Sequence, residues 1–272
     1  MEIIIKPKNK WWQLDLKEIW QFRDLFYFFT WRDLKVKYKQ TLIGVLWAVF
    51  QPFITMVVFT VFFGKLVQMP SDGIPYPIFV YIGLLFWTLF STGLTNASNI
   101  FVNNEKIITK VYFPKLTLLV SSILTNVIDF FIASIILFAM MFWYHYTPNI
   151  LGLLLLPVLL LMTILSTIGI GLFFSSINVK YRDVRFILPF FIQLLMFLTP
   201  VIYPVSLAPE KYRWILGLNP MSGIIDIART VILGVGSIDW QLLLVSTISM
   251  IVYFVIGYIY FKKTERYFAD VI

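Results

Sequence analysis

The chain has 272 residues, of which 60% are hydrophobic and only 13% are charged, and it contains nine Trp. A chain this apolar cannot enclose its side chains within a water-soluble domain, so the composition predicts an integral membrane protein. The net charge of +8 does not indicate a nucleic-acid partner, because the basic residues flank apolar segments instead of clustering on a soluble face. The lack of Cys excludes disulfides and thiolate metal sites.

Residues 1–41 are predicted to form a cytoplasmic N-terminal segment that contains an interfacial helix. Residues 11–30 interleave Trp and aliphatic side chains with charged ones, which favours an amphipathic interfacial helix. Thr30, with Asp33 three residues later, resembles an N-terminal capping pair and predicts that a second helix begins there. Acidic and aromatic residues precede the first apolar run, so no signal peptide is expected.

Six apolar segments follow, taking about 20 residues as the length that crosses a bilayer. They are 42–63, 78–96, 116–144, 151–175, 186–202 and 241–261. The sequence therefore predicts an all-α integral membrane protein with a six-helix transmembrane domain at 42–261 and a C-terminal tail at 262–272.

The distribution of Lys and Arg predicts which side each loop occupies. Nine precede the first span, and three lie in each of 97–115, 176–185 and the tail, which together make 18 of the 22 basic residues. By the positive-inside rule, both termini and those two loops are cytoplasmic. The outer loop 203–240 contains two apolar stretches too short to span, so we expect short re-entrant helices in the outer half of the membrane between spans five and six.

Two stripes of residues at helical spacing mark a candidate transport path, one on the first span and one on the fifth. Each stripe includes a glutamine, whose amide is costly to expose to lipid, so both faces are expected to point into a conduit. The alternative is that the glutamines bridge helices while the phenylalanines fill the bundle core. The predicted channel-lining residues are Gln51, Thr55, Phe59, Phe186, Phe190, Gln193 and Phe197.

Two further groups lie at the predicted cytoplasmic surface. The loop between spans two and three has helix-compatible spacing and exposes aliphatic residues beside charges, which favours docking of a cytoplasmic partner, with packing on its own spans as the alternative. The residues concerned are Glu105, Lys106, Ile107, Ile108 and Lys110. The second group is a charged cytoplasmic mouth, in which Asp183 is expected to pair with a basic residue and the arginines could contact a pyrophosphate head group. It comprises Tyr181, Arg182, Asp183 and Arg185.

Asp129 is the one acid within a predicted span, and it shares a helix face with Ser122 and Asn126. We favour a hydrogen-bonded helix interface over a proton relay for this residue. The sequence has no GxxxxGK[ST] phosphate loop and no catalytic or metal-ligating arrangement, so the chain is not expected to be an enzyme or to hydrolyse ATP itself.

Several segments in fixed order carry a resemblance to a known family. They are RDLKVKYKQTLIGVLWAVFQP at 32–52, NEKIITKVYFPK at 104–115, NVKYRDVRFILP at 178–189, LTPVIYP at 198–204, NPM at 219–221 and ERYFADVI at 265–272. With them the chain resembles the permease subunits of type-2 ABC exporters of polysaccharides and polyol phosphates, most closely those for O-antigen.

This resemblance implies a homodimer in the bacterial inner membrane that binds two copies of a nucleotide-binding ATPase subunit. The partner would hold ATP and Mg, with no cofactor in this chain, and a channel between the two permeases would pass a lipid-linked polysaccharide. It also implies that 103–113 is the coupling segment and that Tyr203, Asn219 and Pro220 belong to an outer gate. Exporters of capsule and teichoic acid polymers share these motifs, and an intramembrane transferase acting on polyprenyl-linked sugars remains a less favoured alternative.

Overall fold

The computed structural model describes residues 20–39 and 44–268, and throughout these ranges the regular structure is helical, with no strand. The helices are α1 (Arg23–Lys39), α2 (Val45–Phe59), α3 (Tyr76–Asn103), α4 (Glu105–Ile108), α5 (Leu116–Trp143), α6 (Ile150–Lys180), α7 (Val184–Leu198), α8 (Arg213–Leu216), α9 (Pro220–Leu233) and α10 (Trp240–Thr264). A π-helical segment, Thr60–Leu66, continues α2, and single 3-10 turns lie at Val205–Leu207, Glu210–Tyr212 and Glu265–Tyr267.

Five helical segments are long and apolar enough to cross a membrane. They are Val45–Leu66, Tyr76–Asn103, Leu116–Trp143, Gly152–Lys180 and Trp240–Tyr267, between 22 and 29 residues each. At a rise of about 1.5 Å per residue they reach roughly 33 to 44 Å, enough for a hydrocarbon core of about 30 Å. The first four predicted spans and the last are confirmed as helices, with ends that differ by a few residues, and the chain is a multi-pass membrane protein.

The fifth predicted span is shorter than the sequence indicated. Helix α7 has 15 residues, so it is only about 22 Å long, and the prediction that the helix continues to residue 202 is wrong. Thr199 has extended backbone angles, φ −86° and ψ 139°, because the ring of Pro200 disfavours the helical conformation in the residue before it. Pro189 lies inside α7.

The segment after α7 forms two short helices at a sharp angle. The segment Glu210–Leu216, which includes α8, meets α9 at a bend of 112°, and counting this bent pair as one crossing raises the number of candidate spans to six. Nearly every residue of α9 is buried. The two short helices predicted for this loop are therefore present, and their re-entry into the membrane stays a prediction.

Helix α3 is the centre of the bundle, because it packs against α2, α5, α6, α7 and α9, and 78% of its most apolar stretch is buried. Helix α2 lies on one flank of α3 with α5, and α7 lies on another flank with α6. The corresponding stretch of α2 is only 11% buried, so the rest of the described chain leaves most of the α2 surface uncovered.

Hydrogen bonds between helix termini define the two ends of the bundle. At one end Lys115 Nζ donates to the Glu265 carbonyl oxygen at 2.8 Å, and we call this the α4 end. At the other, the Tyr76 hydroxyl donates to the Ile202 carbonyl oxygen at 2.8 Å, and we call this the α8 end. The lysines of the loop 104–115 therefore lie with the C-terminal turn at the α4 end, where Phe29 of α1 packs against Phe113.

Helix α1 packs against α5 at the α4 end and runs unbroken through Thr30. The prediction that a helix begins at Thr30 is therefore wrong, since the apolar and aromatic residues on both sides of Thr30 continue one helix. Residues 1–19, which include the first nine of the twenty residues of the predicted interfacial helix 11–30, lie outside the described residues.

Candidate transport path and partner surface

Helix α7 has one buried and one exposed face. Val184, Leu188 and Ile192 are buried against the bundle, whereas the predicted stripe lies on the opposite face. Its members are Phe186, Phe190, Gln193 and Phe197, all exposed within the protomer. The 3.6-residue period thus correctly placed these four residues on one face of α7. None of the described residues covers that face.

The stripe on α2 lies differently. Gln51 lines a small cavity with residues of α3 and α5, among them Asp129, while Thr55 and Phe59 are half-buried farther along the helix. Pro52 and Met56 form the buried face of α2. The two stripes therefore lie on separate flanks of α3, and the protomer by itself does not bring them together.

The predicted mouth residues lie at the α4 end between α6 and α7. Tyr181, Arg182, Asp183 and Arg185 are all exposed. Arg185 Nε donates to the Arg182 carbonyl oxygen at 3.2 Å, which closes the turn into α7. Among the described residues no Lys or Arg lies within ion-pairing distance of Asp183, so the predicted pairing is not made there.

Arg229 on α9 stabilises the chain where α7 ends. From the sequence alone, it was only one of the four basic residues that lie outside the predicted cytoplasmic segments. Its side chain is buried, with Nη1 and Nη2 donating to the Pro200 and Val201 carbonyl oxygens at 2.7 Å each. Nε donates to the Phe79 carbonyl oxygen at 3.0 Å, and the guanidinium lies 3.5 Å from the centre of the Phe79 ring. One side chain thus joins α3, α9 and the end of α7. The signal in the sequence was an arginine within an apolar stretch.

The three predicted outer-gate residues lie together at the α8 end. The Asn219 side chain caps α9 by accepting from the Met221 backbone N–H at 3.1 Å, and it donates to Thr199 Oγ1 at 2.6 Å. Pro220 occupies the first turn of α9, where its missing N–H costs nothing. The Tyr203 hydroxyl donates to the Leu198 carbonyl oxygen at 2.9 Å, and burial raises the pKa of Tyr203. The group connects α7 to α9.

The predicted partner surface surrounds α4. Glu105, Lys106 and Lys110 are exposed and Ile107 is half-buried, whereas Ile108 is buried in the aromatic cluster below. The apolar residues that follow are the exposed ones, because Val111 and Tyr112 are 58% and 59% exposed. The three charged residues of the predicted set and Ile107 therefore share a surface with Val111 and Tyr112. Ile108 lies beneath this surface and packs into the bundle.

The C-terminal turn lies against this segment. Phe268 is fully buried, with its ring 5.0 Å from that of Phe101 and 5.9 Å from that of Phe261. Lys115 Nζ lies 5.1 Å from the centre of the Phe268 ring. The end of α3, the α4 loop and the last helix are thus held in one apolar cluster.

Asp129 connects α5 to α1, and its contacts bear on the two interpretations of this carboxylate. One carboxylate oxygen accepts from Lys37 Nζ and the other from the Tyr38 hydroxyl. Burial, together with the hydrogen bond to Asp129, raises the pKa of Tyr38, so this hydroxyl keeps its proton and donates. The contacts favour the helix-interface role for Asp129.

These features define a multi-pass membrane protein in which a buried central helix is flanked by two incompletely covered ones and a charged loop segment projects from one end. The chain belongs to the ABC-2 type transporter family, whose sequence pattern it matches over residues 24–233. This is a family of permease subunits that work with an ATP-binding subunit.

Curated relatives match over most of their length. The chain is 28% identical to the O-antigen export system permease protein RfbA of Klebsiella pneumoniae, over 92% of this chain and 95% of the relative. It is 31% identical to the RfbA of Myxococcus xanthus, over 76% and 79%. The polysialic acid transport protein KpsM of Escherichia coli is 23% identical over 74% and 78%.

Proposed function

We propose that this chain is the permease subunit of an ABC exporter that moves a lipid-linked polysaccharide of the O-antigen type out of the bacterial cytoplasm. The observation that carries the proposal is the similarity to O-antigen export permeases along 92% of the chain, which includes the α4 loop and α7. ATP hydrolysis drives transport from the separate ATP-binding subunit. That subunit holds ATP and Mg, and this chain has no cofactor of its own.

Two copies of the chain form the transport path between them, and each copy binds one ATP-binding subunit. The uncovered face of α7 supports this arrangement, since Gln193 is exposed there between Phe190 and Phe197. Sugars present apolar ring faces beside hydroxyls, so aromatic platforms with an amide partner and no fixed charge suit a moving glycan. The face of α2 with Gln51 and Thr55 completes the wall from the other flank.

The α4 end faces the cytoplasm, with both termini on that side of the inner membrane. The distribution of Lys and Arg supports this orientation. Helix α1 begins at the cytoplasmic surface, where Phe29 packs against Phe113, and α8 and α9 re-enter the outer half of the membrane. The outer gate is formed around Tyr203, Asn219 and Pro220, at the end of α7.

Coupling to ATP hydrolysis is tested at the α4 surface with one substitution on that surface. Val111 is exposed beside Lys110, so Val111→Asp places a charge at the partner interface without disturbing the aromatic cluster. In proteoliposomes containing the permease and its ATP-binding subunit, we expect lipid-linked polysaccharide to stimulate ATP hydrolysis in the wild type and not in this variant. Leu207→Asp, an equally exposed apolar position at the α8 end, is the matched control and should retain stimulation. Full stimulation of the Val111 variant would contradict the assigned interface.

The path itself is tested by labelling single cysteines with a water-soluble reagent in the ATP-activated complex. Cysteines at 190, 193 and 197 should react faster than cysteines at 188 and 195, because the first three lie on the exposed face of α7 and Leu188 is 1% exposed. Position 195 is half-buried and provides the intermediate control. If labelling is absent at 190, 193 and 197 while transport continues, α7 does not line the path.

A capsule-type polymer is the second candidate substrate, supported by the similarity to the polysialic acid transport protein KpsM. Both assignments share the fold, the partner and the path. The same proteoliposomes distinguish them, because only the correct polymer stimulates ATP hydrolysis.

A further inference from the structure

A polar cleft lies at the α4 end, away from the exposed face of α7. It is an open cleft of about 660 Å³ between α1, α3 and α5, which places it within the roughly 300 to 1,000 Å³ range of small-molecule sites. Most of its lining residues bear a hydroxyl or an amide, among them Thr92, Thr95, Asn96, Asn99, Ser122 and Thr125. Such a concentration of polar groups within two spans requires a wet or ligand-filled space, because lipid cannot satisfy them.

The depth of the cleft suits a ligand that enters from the α4 end. Asn96 is exposed although α3 is the most buried span, and it lies seven residues before the end of that helix, about 10 Å along the axis. A smaller cavity shares Lys37, Thr92 and Asn126 with the cleft and continues to Gln51 on α2. The cleft therefore leads from the surface toward the first span.

The hydrogen-bonding capacity of the lining decides the chemistry of the ligand. The Thr92, Thr95 and Thr125 hydroxyls each donate to a carbonyl oxygen four residues back, at 2.5, 2.8 and 3.1 Å. A hydroxyl that has donated its one proton offers only lone pairs. The Asn96 side-chain amide donates to the Asn126 side-chain oxygen at 3.3 Å. No described residue donates to the Asn96 side-chain oxygen, Oδ1. The three threonine hydroxyls and the Asn96 side-chain oxygen therefore present acceptors to the contents of the cleft.

A surface rich in hydrogen-bond acceptors binds hydrogen-bond donors. It therefore distinguishes the sugar of a lipid-linked glycan from the phosphate. A phosphate is itself an acceptor, whereas every sugar hydroxyl can donate a proton. The two cations at the edge add N–H donors but little net charge, because Arg32 pairs with Asp33 at 2.8 Å and Lys37 pairs with Asp129. The local charge of these four groups sums to zero, so an uncharged polyhydroxyl ligand fits better than a phosphate.

We propose that the cleft between α1, α3 and α5 binds the lipid-proximal sugar of the lipid-linked glycan, with Thr95 and Asn96 accepting hydrogen bonds from its hydroxyls. This inference rests on the proposed export function and adds a site at which the sugar, and not the pyrophosphate, is recognised. A glycan whose first sugar cannot donate to these acceptors is bound less tightly.

The test compares two probes on the complete complex with its ATP-binding subunit in lipid nanodiscs. One probe is a radiolabelled polyprenyl pyrophosphate bearing a single N-acetylhexosamine, and the other is the same lipid without the sugar. Thr95→Val and Asn96→Leu should each weaken binding of the sugar-bearing lipid by about 3- to 10-fold, the loss of one or two hydrogen bonds. Binding of the bare lipid should not change.

Thr247→Val is the matched control. Thr247 is half-buried like Thr95 and also donates to the carbonyl oxygen four residues back at 2.8 Å, but it lies on α10 outside the cleft. Thr95→Val preserves side-chain shape, so the test does not depend on whether Asn96→Leu folds. Equal weakening of both lipids, or no change in either, overturns the sugar site while export stands. If the wild-type complex binds neither lipid, the export function fails with it.

Discussion

Replacing Arg229 with Lys tests whether one buried guanidinium holds the end of α7 in place. Arg229 bridges carbonyl oxygens of α3 and of residues 200 and 201 through three separate nitrogens. The compact ammonium of Lys cannot reproduce a planar fork that reaches acceptors on two segments. Because hydrogen bonds from charged donors contribute about 1.5 to 3 kcal/mol each, the loss of two of the three predicts a destabilisation of about 3 to 6 kcal/mol.

Thermal unfolding of the purified chain in detergent measures this effect. At roughly 2 to 4 °C per kcal/mol for a chain of this size class, the apparent Tm of Arg229→Lys should fall by about 6 to 24 °C. The matched control is Arg213→Lys at the same end of the bundle, where the guanidinium lies 3.8 Å from Asp239 and the side chain is 27% exposed. This partly exposed pair is longer than a hydrogen bond and contributes about 0 to 1 kcal/mol, so the control Tm should fall by about 4 °C at most. Equal shifts in the two variants would refute the bridging role.

Two further substitutions test contacts between helices by the same melting assay. A Cβ on Gly257 would lie 1.9 Å from the Gly169 carbonyl oxygen, so Gly257→Ala must separate α10 from α6 and lower the Tm, and an unchanged Tm would contradict this close approach. Asp129→Asn leaves Lys37 without its carboxylate and should cost about 1 to 3 kcal/mol, part of which a second change, Lys37→Met, should restore. Strictly additive effects would show that these two side chains are not coupled.

The spans could be predicted from the sequence because hydropathy and length decide them almost alone. The face of α7 could also be predicted, since a 3.6-residue period separates Leu188 and Ile192 from Phe190 and Gln193 in any regular helix. The end of α7 was predictable in principle, because the residue before Pro200 is biased toward extended angles. The predicted span 186–202 instead followed the apolar run, which continues through residue 202.

Other features depend on contacts between distant parts of the chain, which no pattern in one segment shows. Asp129 and its partner Lys37 are 92 residues apart, and Arg229 reaches Phe79 across 150 residues. Ile108 illustrates a related limit, because the helical period places it on the apolar side of α4 without saying whether that side faces the bundle or a partner. The aromatic cluster around Phe268 decides the question for Ile108, and it forms only in the folded protein.

The exposed face of α7 is more than an apolar face in contact with lipid. Its one amide side chain and the short length of the helix both favour a surface that contacts a partner. Phe186 and Phe190 are compatible with lipid, but an unpaired amide at Gln193 would cost a few kcal/mol in hydrocarbon. The helix is also about 22 Å long, shorter than the hydrocarbon core, so the carbonyl groups after Leu198 lie at membrane depth. Arg229 satisfies two of them from within the protomer. No described residue of this protomer covers Gln193, so the arrangement favours a second copy or a water-filled path beside α7 over bulk lipid.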